Sequence, residues 1–235
     1  QDGSDLNYST LERCEGLGSV GTNQTGKQSQ GLHLHSTFVV TSSGLPLGVL
    51  RAECTAREPR SQQDDRPLSA IPIEEKNTFS WIQGVRDCMD IKPMMPHTSL
   101  VSVMDREADF FEIFDDQRRN SSRVDLLVRA QHNRKTMGEN KLFEEVMQSP
   151  IQTRTTIKIP RQSARVKKKN QKARGKRAAR IAEVTVRYIR TELKPPPYFK
   201  ETPPISLWII HVKEENPPAD TQPVEWFLLT TIDIK

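Results

Sequence analysis

The chain has no run of 18 apolar residues, so nothing in it reads as a membrane-spanning helix, and membrane contact is not expected. It lacks the basic-then-apolar start of a secretory signal and lacks an initiator Met, so Gln1 reads as a cut end. Cysteine is scarce. Cys14, Cys54 and Cys88 are odd in number and far apart, with neither C-x-x-C spacing nor a disulfide framework, and a reducing cytoplasmic setting is expected. Aromatic residues make up 6% and hydrophobic residues 34% of the chain, below the ordinary globular range. With 16 prolines, this composition implies a modest core joined by long polar connections. A length of 235 residues allows one large domain or a core with an insertion, and no internal repeat is evident.

Basic charge is present, but in one place. Residues 161–180 hold ten Lys/Arg and no Asp/Glu, which leaves 25 basic against 30 acidic residues elsewhere. The overall charge of +5 is therefore a mildly acidic body carrying one strongly basic segment, where any polyanion contact concentrates. Long basic runs are also common as solvated loops, and this one lacks interleaved aromatics.

Taken in order, residues 15–31 are rich in Gly, Ser, Gln and Asn and read as a surface loop. Strand alternation starts at Leu32, with His33 and His35 on one face, and a second strand spans 45–51 after the Ser43-Gly44 turn signal. The i, i+2 histidines have no third ligand nearby, so a solvated or hydrogen-bonded strand face is expected rather than a metal site. Residues 53–73 read as a polar loop, and 74–88 as a helix with Phe79, Ile82 and Val85 inward and Trp81 near them. A short buried strand at 100–104 then delivers Asp105, and a helix runs to about Arg118. That helix is expected to show Phe110, Ile113 and Phe114 on one face, with Glu107, Asp109, Glu112 and Asp116 mostly around the other. A strand at 124–129 completes a strand–helix alternation that argues for an α/β core. Beyond a short helix at 141–147, strands dominate, at 153–159, 181–191, 205–213 and 225–231.

Asp105 has two readings. Asp is a favoured helix cap, its oxygen accepting from free backbone N–H groups. An Asp at the carboxyl end of a strand in an α/β sheet can also hold a divalent cation, because hard cations prefer carboxylate oxygens.

Asp105-Arg106-Glu107-Ala108-Asp109 after an apolar strand resembles the signature around the second catalytic Asp of the bacterial cut-and-paste DDE transposases. The likeness runs along nearly the whole chain, through Gln1-Asp2, Leu34-His35-Ser36, Leu127-Val128-Arg129 and Trp226-Phe227-Leu228-Leu229-Thr230-Thr231. It implies an α/β fold of RNase H-like type, a mixed sheet flanked by helices with an inserted antiparallel β subdomain. The expected division is a core over residues 1–134, a β-rich insertion over 135–222 carrying the basic loop, and a return strand over 223–235. It also implies a bacterial cytoplasmic enzyme that cleaves double-stranded DNA at transposon ends and joins the freed 3′-OH to a target, working as a homodimer in its full-length form.

By this resemblance Asp2 and Asp105 are the first two of three catalytic carboxylates, holding Mg²⁺, for which Mn²⁺ can substitute. Two such ions can activate the attacking oxygen and stabilise the leaving one. The third carboxylate is a Glu on a helix after the Trp226 strand, within a Tyr-Arg-Glu-Lys pattern, and no Tyr, Arg or Glu follows residue 226 here. The chain as given is therefore expected to be inactive, or nearly so, while keeping a partial metal site. Arg129 matches a residue that contacts transposon-end DNA, and Gln131 stands where the family can place a basic residue. Trp226 matches an aromatic that stacks on a flipped base; the competing reading is a core Trp. Lys167, Lys168, Lys169, Arg174, Lys176 and Arg177 are expected on the DNA backbone. A different class of reading keeps only the scaffold and the basic segment, as a non-catalytic DNA-binding remnant that inhibits an intact transposase. A structure-specific nuclease with the same core is the third.

Overall fold

A computed structural model describes residues 1–10, 14–22, 28–57, 65–67, 70–120, 124–164, 175–199, 201–219 and 221–234. Among the described residues the fold is mixed α/β, with three α-helices, a six-stranded mixed sheet and a separate four-stranded antiparallel sheet. The chain divides into two compact units. One covers Gln1–Thr98, and the other takes up the described residues from Ser99 on. No helix among the described residues is long and apolar enough to cross a membrane.

The first unit is built on β3 (Gln28–Val40), which β1 (Asp2–Asn7), β2 (Gly18–Thr22) and β4 (Pro46–Thr55) all pair with antiparallel. Part of the expected loop at 15–31 is thus strand. The reason is close backbone approach. Gly31 lies opposite Asn7 of β1 and Gly18 of β2. A Cβ there would sit 2.0 Å from the Leu6 carbonyl oxygen, so the small residues that read as loop are what the ladder requires. The buried face of β3 is polar, carrying Ser29, His33, His35 and Thr37. Asp5 Oδ1 lies 2.8 Å from His33 Nδ1, and Gln1 Oε1 lies 3.2 Å from His35 Nε2, so both imidazoles are hydrogen-bonded.

Helix α1 (Phe79–Ile91) packs on β3 and β4 and buries Trp81, Ile82, Gly84, Val85 and Met89. It starts five residues later than expected. Residues Ile73–Glu75 form a separate 3₁₀ turn after Pro72, and Lys76 leaves helical geometry at φ −91°, ψ 144°. Phe79, at the first position, stays half-buried under the Arg86 guanidinium.

The second unit has strand order β5-β6-β10-β9-β8-β7. Strands β5 (Val101–Met104) and β6 (Asp125–Arg129) are parallel, joined through α2 (Phe111–Arg119). The strands expected in an insertion appear as β7 (Thr153–Ile159), β8 (Arg180–Leu193) and β9 (Ile205–Glu214). They continue the same sheet, because β10 (Glu225–Thr230) bonds antiparallel to β6 on one side and to β9 on the other. Helix α3 (Leu142–Gln148) packs on β8 and β9. Ile113, Phe114, Leu126, Val128, Leu142, Ile209 and Leu229 are all at or below 1% exposure and make the apolar interior of this unit. Each such side chain contributes about 1.5–3 kcal/mol by leaving water.

Helix α2 differs from expectation in which residues face inward. Asp109 adopts ψ 71°, so the helix begins at Phe111 and its apolar face is Phe111, Ile113 and Phe114, with Phe110 only half-buried. Asp109, Glu112, Asp115 and Asp116 are buried rather than turned to solvent. Asp115 is paired with Arg118 and Arg119, and Asp109 with Arg134, which is how buried carboxylates are tolerated.

Candidate nucleic-acid interface

The parallel pair β5/β6 places Met104 opposite Val128, so the next residues, Asp105 and Arg129, leave adjacent strand ends side by side. Asp105 is exposed. Its Oδ1 accepts the Glu107 N–H at 2.8 Å and caps the 3₁₀ turn Arg106–Ala108. The capping geometry is therefore present, and it uses one of several lone-pair positions. A solvent-facing carboxylate of this kind suits a hard cation.

Arg129 is half-buried, and its Nε is shut off from water with no hydrogen-bond partner among the described residues. Burial lowers the pKa of its guanidinium, the Arg106 cation lowers it further, and Asp105 opposes them. Two cations near one exposed carboxylate leave an unbalanced positive site at these strand ends.

The segment after β6 is held by Asp109. Its Oδ2 accepts the Gln131 N–H at 2.6 Å and the His132 N–H at 2.8 Å, while its Oδ1 accepts from Arg134 Nε at 3.2 Å and Nη2 at 2.8 Å. The Asp109 side chain is completely buried. Gln131 is thus fixed through its backbone, and its side chain faces solvent. Further along, Asn133 Oδ1 accepts the Phe143 N–H at 2.9 Å, tying the same segment to α3.

On β10, Leu228 lies opposite Arg129, and Trp226, two residues before it, shares that face of the sheet. Trp226 is half-buried and packs against a cluster of Ile159, Ala182, Val184, Val212 and Val224. The core-packing reading is realised for at least part of the ring. On the opposite face, Phe227 is stacked between Phe143 at 4.0 Å and His211 at 4.5 Å.

The basic segment begins and ends on a β-hairpin. Beyond β7 and β8 the backbones of Gln162 and Arg177 exchange hydrogen bonds of 2.8 and 2.9 Å, prolonging the ribbon. Lys176 is exposed there, and Arg177 is half-buried, its Nε without a hydrogen-bond partner among the described residues. Lys167, Lys168, Lys169 and Arg174 lie outside the described residues. Arg180 points inward instead, bonding Glu214 through Nε at 3.0 Å and Nη2 at 2.8 Å. This contact, with the Val224 N–H, holds the Glu214 carboxyl below its usual pKa range.

Asp2 opens β1 opposite Ser36 and is exposed. It belongs to the first unit, whereas Asp105, Arg129, Gln131, Trp226, Lys176 and Arg177 belong to the second. Among the described residues, no three His, Cys, Asp or Glu side chains gather into a group that could hold a metal.

The residues missed by sequence reasoning are Asp109 and Arg134, together with the Phe143–Phe227–His211 stack. Helical periodicity had turned Asp109 outward, and nothing local in the sequence links positions 109 and 134. No family model matches the chain.

Proposed function

We propose that the chain is the core of a cut-and-paste DDE transposase, acting on double-stranded DNA by metal-dependent strand cleavage and 3′-OH transfer. The observation that supports this best is Asp105 at the carboxyl end of a parallel strand, beside the anion-poor Arg129 at the end of its neighbour. Phosphodiester oxygens are the ligand that this charge arrangement suits, because a guanidinium matches phosphate in a bidentate fashion. The ribbon bearing Lys176 and Arg177 supplies further cationic surface.

In this reading the finer fold is RNase H-like. Within the second unit, β5 and β6 are its parallel core strands and β7 to β9 the insertion. On this reading Asp2 and Asp105 are each Mg²⁺ ligands, and the ion would supply polarisation of the phosphate and a lowered pKa of the attacking water. Trp226 stacks on a base through whatever part of its ring is open, and the enzyme works as a homodimer in the bacterial cytoplasm.

The test is Mn²⁺ binding followed by paramagnetic resonance on the chain and on Asp2→Ala and Asp105→Ala. Saturable binding lost in both variants supports the reading. Equal weak binding in all three removes it.

The second reading, a DNA-binding remnant without catalysis, draws on the lack of a three-ligand group among the described residues. Duplex binding that persists in EDTA and is abolished by Lys176→Gln with Arg177→Gln, with no Asp105-dependent Mn²⁺ signal, supports it instead.

A further inference from the structure

We infer that Asp109 is the positioning residue of this site, a strut that sets Asp105 and Arg106 against Arg129 and Gln131. This rests on the reading that those residues hold a metal and a phosphate. The β5/β6 pairing ends at Met104 and Val128, one residue short of the groups concerned. Beyond it, two segments leave that pairing, the turn Arg106–Ala108 on one side and, after the Ala130 N–H to Phe227 bond with β10, the chain from Gln131 on the other.

Asp109 closes the first segment as the C-cap of that turn. Its carboxylate takes two consecutive N–H groups from the second, at Gln131 and His132, and then the Arg134 guanidinium. Arg134 Nη2 also donates to the Asp109 carbonyl oxygen, so the pair is tied through main chain and side chain alike. A carboxylate stripped of water costs several kcal/mol unless every lone pair is used, and here both oxygens are multiply occupied. Stability alone does not require such a pair, since replacing a buried ion pair as a whole by well-packed apolar residues is often neutral or better, whereas removing one partner alone is strongly destabilising. What the carboxylate does that an apolar residue cannot is bind two main-chain segments at fixed distance. Placement matters at such a site, because a displacement of about 1 Å in a reacting group can lower rates about a hundredfold.

Asp109→Asn keeps the shape but turns at least one amide N–H toward a donor and removes the charge facing Arg134. The experiment compares the chain, Asp109→Asn and Asp105→Ala by Mn²⁺ titration, by duplex affinity in EDTA and by thermal melting. The expected result for Asp109→Asn is a folded protein whose Mn²⁺ affinity falls about 10- to 100-fold, the range for groups that orient metal ligands. Its duplex affinity falls as well. A merely structural residue would lower the melting temperature and leave the affinities of the folded protein unchanged, and that outcome overturns the inference. If Asp105→Ala binds Mn²⁺ like the parent, the proposed function fails instead, and the two failures are distinct. Should Asp109→Asn not fold, Asp109→Glu is read in its place. It keeps the charge and the acceptor oxygens but lengthens the strut by one methylene, and Mn²⁺ affinity unchanged in that folded variant likewise overturns the inference.

Discussion

Replacing Arg129 with Met pulls stability and DNA binding in opposite directions. The Arg129 Nε is closed off from water and accepted by nothing among the described residues. A buried donor left without an acceptor costs about 1–3 kcal/mol. The Arg106 cation also disfavours the charged guanidinium, with only the Asp105 carboxylate opposing it. Met has a stem of similar length and no donor, so it keeps most of the packing of the Arg side chain while removing the unmet N–H. The variant without DNA is expected to gain up to about 1 kcal/mol, a rise of about 2–4 °C in melting temperature for a chain of this size. Binding moves the other way. A hydrogen bond to a charged group contributes about 1.5–3 kcal/mol, so duplex Kd should weaken about 10- to 150-fold. The slope of log K against log salt should fall by about 0.9, the value for one lost phosphate contact. Calorimetry and fluorescence anisotropy at three salt concentrations measure both. A variant that melts lower and binds DNA like the parent would refute the argument, because Arg129 would then be an internal structural group.

Three further outcomes follow from particular contacts. Gly31→Ala should unfold or severely destabilise the first unit, since its Cβ would meet the Leu6 carbonyl at 2.0 Å; loss of the β signal in circular dichroism checks this. Burial, helped by His33, lowers the His35 pKa to about 4 from 6.5, so the folded state holds this ring neutral. Its contribution is complete above the unfolded value, declines as pH falls from about 6.5 to about 4, and amounts to up to about 3 kcal/mol. His35→Gln should flatten the melting profile across that window. Lys176→Gln with Arg177→Gln should reduce the salt slope of duplex binding by about 1.8 if both meet phosphates, and an unchanged slope removes them from the interface.

How much of this fold could be read in advance depends on where the determining interaction lies. Strands β7, β9 and β10 and the start of α3 fall within two residues of the sequence expectation, because alternation and proline-rich turns are local signals. The strand content of residues 15–31 was not legible. Its determinant is a steric one, the passage of β1 and β2 on either side of Gly31, and composition in such a segment looks like a loop. The continuity of the six-stranded sheet was also not legible. It depends on β10 inserting between β6 and β9, a pairing between positions about a hundred residues apart in the first case. The same alternation is compatible with a separate subdomain.

At the candidate site, type and place separated. Asp105 was singled out by the rule that strand ends in α/β sheets gather polar groups, together with the transposase resemblance, whereas Arg129 rested on the resemblance alone. Asp109 escaped because a helical wheel started one turn too early sends it to solvent. The correct start depends on the turn that Asp105 caps, so the misreading of one carboxylate followed from not knowing what the other does. Trp226 shows the converse. Its register on the Arg129 face is a sheet property, yet its half-buried ring packs on Val212 and Val224, so stacking on DNA and packing in the core draw on the same side chain. Those two roles are compatible only if the ring keeps one surface for each. Trp226→Phe would then retain the cluster and lose stacking area. It should weaken duplex binding by less than the roughly 1–3 kcal/mol that a full base–aromatic stack is worth, while leaving the melting temperature close to that of the parent.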